Sequence, residues 1–137
     1  MALLSFFEEK KTEQPADPQW RRNNRGFYFR LMTLNTKSLS KVGGVYVIWH
    51  AGVNPAWLYC GLNHNIGLAL TLARDEPAIS VYEPQGGLYV TWSPIAEPYR
   101  PGVQRYLRAV MKPVIFDSMF AETFDDKARL IPVRLPG

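Results

Sequence analysis

The sequence contains little cysteine, little excess charge and no long hydrophobic run. Its one cysteine, Cys60, cannot form an intramolecular disulfide, and a lone thiol is typical of a reducing compartment. No apolar run approaches the ~20 residues that a membrane-spanning helix needs. The start, MALLSFFEEKK, lacks the basic stretch that opens a secretory signal. We therefore expect an intracellular, cytoplasmic protein with no membrane partner.

The composition is that of one ordinary globular domain. The chain has 137 residues and 47% of them are hydrophobic, which excludes an acidic disordered protein. The 16 basic and 12 acidic residues give a net charge of +4. Because this excess is small, the distribution of the charges says more about partners than their sum.

The first 34 residues have the pattern of an extended N-terminal arm. Residues 2–11 place apolar side chains ahead of charged ones and predict a short amphipathic helix, which needs a surface to dock on. Prolines, asparagines and a glycine follow at 12–26, and the aromatic stretch 26–34 is compatible with a strand. A compact domain is then expected over residues 35–137.

Alternating and helical periodicities give this domain an α+β fold. Strands are predicted at 44–50, 56–62 and 87–93, with the first two joined as a hairpin by the turn-forming AGVNPA. Helices are predicted at about 64–75 and 101–111. The order is β-β-α-β-α around a small mixed sheet.

Two helix faces and a last strand complete the predicted core. The C-terminal ARLIPVRLPG could add a short edge strand. The residues predicted to face inward are Ile66, Ala69, Leu70 and Ala73 on the first helix, and Val103, Leu107, Val110 and Met111 on the second.

Two tripeptides on the predicted hairpin carry a family resemblance. Gly44-Val45-Tyr46 and Tyr59-Cys60-Gly61 lie on consecutive strands ahead of a helix. In this order they resemble the GIY-YIG domain of nucleases and excision-repair endonucleases, over about residues 40–117. The resemblance implies that Tyr46 would help to deprotonate the attacking water. It also implies an arginine on the following helix and a glutamate that binds a divalent metal ion.

The two charged positions that the resemblance requires are not kept. The helix arginine falls at Ala69, and Arg74 lies about 140° further round the helix, so that it is a poor substitute. The metal-binding glutamate falls at Gln104, and the asparagine expected after Pro113 is Phe116. The pattern is that of a degenerate member of the family.

The sequence therefore favours binding over catalysis: a GIY-YIG-like interaction module without a cofactor or metal site, and with no residue assigned as catalytic. The alternative is a metal-dependent endonuclease with a shifted site that uses Mg²⁺. Tyr46 or Tyr59 would then be the base and Arg74 the phosphate clamp, with Glu97 or Glu83 as metal ligand.

Basic residues beside aromatic ones mark the candidate binding positions, because arginine neutralises phosphate while rings stack on bases or bury in protein interfaces. Four tryptophans, Trp20, Trp49, Trp57 and Trp92, are more than a core of this size needs, which indicates an interface. The candidate binding residues are Trp20, Arg21, Arg22, Arg25, Arg30, His64, Arg105 and Arg108.

The partner is left open between two classes. Residues 1–34 could hold a protein partner or a second copy, as in a structural component of a larger assembly such as a virion. They could instead bind DNA or RNA. The sequence leans towards protein, because four arginines give a short phosphate footprint beside many rings.

Overall fold

The computed structural model describes residues 18–119 and 122–137. The amphipathic helix predicted at 2–11 and the first half of the predicted arm (residues 1–17) lie outside the described residues. The described part is a small α+β fold in which helices pack on both faces of a four-stranded antiparallel sheet.

The sheet is formed by β1 (Phe29–Arg30), β2 (Gly44–His50), β3 (Ala56–Asn63) and β4 (Leu88–Pro94), in the spatial order β1-β4-β2-β3. Every neighbouring pair is antiparallel, so the prediction of a mixed sheet was wrong. The reason is topological. β3 and β4 run in the same direction, but β2 lies between them and pairs antiparallel with each. The predicted hairpin of β2 and β3 is confirmed.

Among the described residues, three α-helices accompany the sheet: α1 (Ile66–Asp75), α2 (Pro77–Ser80) and α3 (Arg100–Met111). The side chain of Asn65 caps α1 by accepting a hydrogen bond from the Leu68 N–H at 2.9 Å. Pro101 lies in the first turn of α3, where its missing N–H costs nothing. None of the helices among the described residues is long and apolar enough to cross a membrane. The described part of the chain also has three short 3₁₀ helices, at Leu31–Thr33, Thr36–Leu39 and Glu97–Tyr99.

Alternate residues of the strands serve two separate cores. On one face, Tyr46 and Ile48 pack against the fully buried stripe of α1, which is the stripe the periodicity predicts: Ile66, Ala69, Leu70 and Ala73. On the opposite face, Val45 and Val47 pack against Val103, Leu107 and Met111 of α3. Val110 is 45% exposed, so its predicted inward position was wrong. Val110 follows Leu107 by three positions, a spacing that favours the same helix face, but its side chain faces solvent in the last turn of α3.

Residues 18–34 pack on the sheet, although the sequence places them in the arm. The Arg21 N–H donates to the Trp92 carbonyl at 3.0 Å, and the Arg21 carbonyl accepts from the Thr91 hydroxyl at 2.8 Å. Strand β1 pairs with β4, and Leu31 is fully buried in the first core. The packed unit among the described residues therefore begins at Pro18 rather than at residue 35.

The C-terminal segment (residues 112–137) contains no strand among its described residues, so the edge strand suggested for ARLIPVRLPG is absent. It is held by isolated backbone hydrogen bonds instead. The Val114 and Ile115 N–H groups donate to the Trp57 and Leu58 carbonyls, both at 2.9 Å. The Ile131 N–H donates to the Gly102 carbonyl at 3.1 Å. This segment thereby covers the outer edge of β3.

Candidate functional site

The two motif tyrosines lie side by side in the core under α1. The register of β2 and β3 places Tyr46 opposite Gly61 and Tyr59 opposite Ile48. Both side chains are fully buried, and their ring centroids are 5.9 Å apart. A Cβ on Gly61 would lie 2.3 Å from Cζ of Tyr46. The glycine of the second motif is therefore needed to leave room for the tyrosine of the first.

The carboxylate of Glu122 joins this pair from the C-terminal segment. Tyr46 Oη donates to Glu122 Oε2 at 2.7 Å, and Tyr59 Oη donates to Oε1 at 3.0 Å. The side-chain amide of Asn63 donates to Oε2 at 3.0 Å. Glu122 is only 8% exposed, so both of its oxygens are engaged in a nearly dry environment. We call Tyr46, Tyr59, Asn63 and Glu122 the tyrosine–glutamate cluster.

Burial dominates the acid–base properties of this cluster. Desolvation, followed by the nearby Glu122 charge, raises the pKa of the Tyr46 hydroxyl well above its usual value of 10.0. The same two causes raise the pKa of Tyr59. Desolvation also raises the pKa of Glu122, against the opposing hydrogen bonds from Asn63 and the two tyrosines. Both hydroxyls therefore keep their protons at neutral pH and donate to Glu122.

The hydrogen bonds of the cluster hold the chain together across long sequence distances. Besides donating to Glu122, the Tyr59 hydroxyl accepts a hydrogen bond from the Met119 N–H at 3.1 Å. The C-terminal segment is thus attached to the central hairpin by both tyrosines. This arrangement is suited to fixing structure, because a satisfied buried polar network specifies a single packing.

A cleft of about 780 Å³ opens beside the cluster, between the end of β3 and the N-termini of α1 and α3. Its charged and polar lining is mixed in sign: Glu122 forms part of the wall, and His64, Arg100 and Glu97 lie around it. Leu68, which is 47% exposed, and two prolines give it a largely apolar surface. His64 is thus the one predicted binding residue that lines this cleft among the described residues.

The other positions implied by the family resemblance have structural roles. Ala69 is fully buried under the sheet. The Arg74 guanidinium donates to the carbonyls of Leu31 (2.8 Å from Nε) and Leu34, and so anchors the N-terminal stretch to α1. The Gln104 amide is buried and donates to the Cys60 carbonyl at 3.1 Å.

The two acids considered as metal ligands lie in different places. Glu97 is exposed on the rim of the cleft at the start of a 3₁₀ helix. Glu83 forms an ion pair with Arg30 at 3.3 Å and accepts from the Leu88 N–H at 3.2 Å. Glu97 therefore lines the same cleft as Glu122. Glu83 instead binds Arg30 of β1 and the backbone of β4.

The residues around Glu122 do not fit a divalent metal centre. Mg²⁺ needs carboxylate or carbonyl oxygens with free lone pairs and several waters. Glu122 already accepts three hydrogen bonds from side chains. No group of three or more His, Cys, Asp and Glu side chains suited to a metal occurs within residues 18–119 and 122–137. We derive no metal-dependent step from this site.

The predicted binding arginines divide into two sets. Arg21, Arg22, Arg25 and Arg30 are exposed at the N-terminal end of the described chain. Arg105 instead donates to the Ala128 carbonyl at 2.7 Å. The Arg108 guanidinium lies 3.6 Å from the centroid of the Phe124 ring and bonds the Phe116 carbonyl. The second set therefore fixes the C-terminal segment to α3.

The first set adjoins a row of side chains that crosses all four strands and consists of three aromatic residues and one arginine. Strand register places Arg30 opposite Tyr89, Tyr89 opposite Trp49, and Trp49 opposite Trp57. Directly opposed residues share a face, so these four side chains form one line, which we call the aromatic row. The Arg30 guanidinium lies 5.0 Å from the Tyr89 ring centroid. Trp49 lies 6.0 Å from Tyr89 and 5.4 Å from Trp57.

Further aromatic and basic groups extend this surface. Tyr28 packs edge-on against Trp49 at 5.0 Å, and the Arg22 guanidinium lies 4.2 Å above the Tyr28 ring. The indole N–H of Trp20 donates to the Arg134 carbonyl at 2.8 Å, which places the C-terminal segment beside them. Trp49, Trp57 and Trp20 are half-buried, whereas Trp92 is buried in the core. Three of the four tryptophans therefore border a solvent-facing surface.

Three features of the site are missed by reasoning from the sequence. Glu122 follows no local motif, and only the tertiary fold brings it to the tyrosines. Arg100 opens α3, and its Nε donates to the Ile95 carbonyl at 2.7 Å on the cleft wall. The third feature is a stretch without acidic residues, which a count of charges would have found: from Pro18 to Arg74 the chain has seven basic residues and no Asp or Glu.

Comparison with known proteins gives no match: no protein-family model, curated protein or solved structure matches the chain. The GIY-YIG resemblance therefore depends on the two tripeptides and their place on the hairpin.

Proposed function

We propose that this protein is a non-catalytic binding module built on a GIY-YIG-like scaffold. The proposal depends mainly on one observation: the hydroxyls of both motif tyrosines donate hydrogen bonds to the buried carboxylate of Glu122. A base must accept a proton from the attacking water, and these hydroxyls have raised pKa values and already donate. The pair stabilises the fold instead.

The electrostatic part of a nuclease site is missing at the same time. Phosphodiester cleavage needs preorganised positive charge at the scissile phosphate, and one such donor is worth roughly 10²–10³-fold in rate. The position implied for this donor is the buried Ala69, while Arg74 binds backbone carbonyls. A neutral amide, Gln104, stands at the position implied for the metal ligand. The tyrosines of both motifs are thus kept, whereas neutral residues stand at the two positions where the family has charged ones.

The binding surface in this proposal is the aromatic row with the exposed arginines beside it. Aromatic side chains and arginine dominate binding hot spots, whereas α1 and α3 present ordinary amphipathic faces. The acid-free stretch from Pro18 to Arg74 supplies most of this surface, so the partner should be anionic.

Plasmid nicking in the presence of Mg²⁺ or Mn²⁺ tests the proposal. We expect no nicking above a heat-denatured control. Nicking that disappears in both Tyr46→Phe and Glu122→Gln would instead establish a metal-dependent endonuclease, with Glu122 in the role assigned above to Glu97 or Glu83.

A further inference from the structure

We infer that the aromatic row is a stacking site for single-stranded nucleic acid, which names the partner of the proposed binding module and rests on that proposal. A single strand offers unpaired bases and a phosphate at every nucleotide. Proteins that bind it without sequence preference combine a basic groove with aromatic rings. The described surface has a row of rings with exposed arginines beside it.

The geometry of the row is set by the sheet itself. Neighbouring strands lie ~4.8 Å apart, so side chains that are opposed across β4, β2 and β3 form a ladder, and the pairing of β2 with β3 shifts by one residue between Ile48 and Trp49. Tyr89, Trp49 and Trp57 occupy successive rungs. The ladder ends at Arg30, whose guanidinium already lies over the Tyr89 ring. Successive bases could contact successive rungs while the phosphates pass along the edge.

One end of the row is open to a flat ligand. A narrow pocket of about 160 Å³ is lined by Trp49, Pro55, Ala56 and Trp57. Its lining includes two indole rings whose planes meet at 66°. Such a slot suits a planar aromatic ring, and it contains no charged side chain among its lining residues.

The charges beside the row favour a polyanion over a neutral protein surface. Arg21, Arg22 and Arg25 are exposed, and no acidic residue lies between Pro18 and Arg74. The Arg22 guanidinium also donates to the Gly26 carbonyl at 3.1 Å and to the Tyr28 hydroxyl at 2.9 Å, so Arg21 and Arg25 are the freer charges. Within the described residues Glu83 is the acid paired with this surface, through Arg30. Protein interfaces are usually balanced by both signs of charge, whereas a phosphate backbone needs only one.

The test is fluorescence anisotropy with the full chain and a labelled oligothymidylate of about 15 nucleotides, compared with a duplex of equal length. We expect tighter binding to the single strand. Trp57→Leu removes the ring but keeps an apolar side chain, so affinity should fall about 5- to 150-fold. Trp57→Phe restores a ring and should recover most of this loss, which separates stacking from a general effect on folding.

Salt dependence tests the arginines. We expect Arg25→Gln to reduce the slope of log affinity against log salt by ~0.7, the value for one phosphate contact on a single strand. The matched control is Arg129→Gln, an exposed arginine of the C-terminal segment that belongs to none of the ring contacts described above. This control should leave the slope unchanged.

Equal affinity for single strand and duplex, or unchanged affinity in Trp57→Leu, would overturn the stacking site while the non-catalytic binding function would stand. Absence of oligonucleotide binding together with self-association would assign the surface to protein and also overturn the inference. Cleavage of the oligonucleotide on a denaturing gel would overturn the proposed function instead, whatever the affinities.

Discussion

The phenol of Tyr46 donates a 2.7 Å hydrogen bond to the carboxylate of Glu122, which lies 76 residues further along the chain. This contact ties the first strand of the central hairpin to the C-terminal segment. It also engages the hydroxyl of the first-motif tyrosine as a donor to a buried carboxylate. The predictions on stability follow from it.

Tyr46→Phe removes this donor and leaves a nearly buried carboxylate with one hydrogen bond fewer. We expect the free energy of unfolding to fall by about 1–3 kcal/mol, the usual cost of orphaning a buried polar group. Urea denaturation measures it. Tyr99→Phe is the matched control, because Tyr99 is 37% exposed and its variant should stay within about 0.5 kcal/mol of wild type. Equal effects in the two variants would contradict the role of the cluster.

Glu122→Gln should change the pH dependence of stability. Burial raises the pKa of Glu122 in the folded protein above its ordinary value of 4.5. The folded state then holds the proton more tightly than the unfolded state, so this group's contribution is greatest below 4.5 and is lost as pH rises through the folded pKa. We expect the stability of wild type minus that of Glu122→Gln to decline with rising pH.

Urea denaturation between about pH 4 and 8 provides this comparison. The exposed Glu97→Gln serves as the control for removing a carboxylate beside the same cleft. A difference that grows with pH would mean that Glu122 is stabilised as an anion, contrary to the dominant effect of desolvation.

Gly61→Ala should destabilise the fold by forcing the Tyr46 ring away from its place. The added Cβ would fall 2.3 Å from Cζ and 2.4 Å from the hydroxyl oxygen of Tyr46. Overpacking of this kind costs about 1–3 kcal/mol. In the double variant with Tyr46→Phe the two losses should be smaller than their sum, because both break the same contact. Additive losses would show that the clash is relieved elsewhere.

Removal of residues 1–25 should lower stability more than removal of residues 1–17. The extra eight residues include Trp20 and Arg21, which bond the Arg134 carbonyl and the Trp92 carbonyl. Their loss leaves one carbonyl on β4 and one in the C-terminal segment without these donors and uncovers part of the second core, at a cost of about 1–3 kcal/mol or more. Thermal unfolding of the two truncated chains decides this. Equal midpoints would show that residues 18–25 behave as the detached arm suggested by their composition.

The central elements could be predicted because their signals are local. A continuous apolar run ahead of turn-forming residues marks β2, and the stripe on α1 repeats with helical period, so their bounds differ from prediction by no more than two residues. β1 has only two residues and owes its pairing to β4, which no local pattern reveals. Whether β4 is parallel or antiparallel likewise depends on which strand it pairs with, and for this reason the prediction of a mixed sheet was wrong.

The site was less predictable than the fold. Glu122 looks like an ordinary acid of a polar C-terminal stretch, and its role arises only when the chain folds back over β3. The opposite holds for Arg105 and Arg108, which look like a basic helix face but bind carbonyls and rings of the C-terminal segment. Long side chains can satisfy distant backbone groups, so helical position does not show whether such a side chain is free to contact a partner.

Binding without turnover is the central claim, and one incubation tests it most directly. An end-labelled single strand is mixed with an excess of the protein and Mg²⁺ or Mn²⁺, and the products are separated on native and denaturing gels. We predict a shifted band on the native gel and full-length strand on the denaturing gel. Shortened strands that appear with wild type but not with Tyr46→Phe or Glu122→Gln would contradict the account.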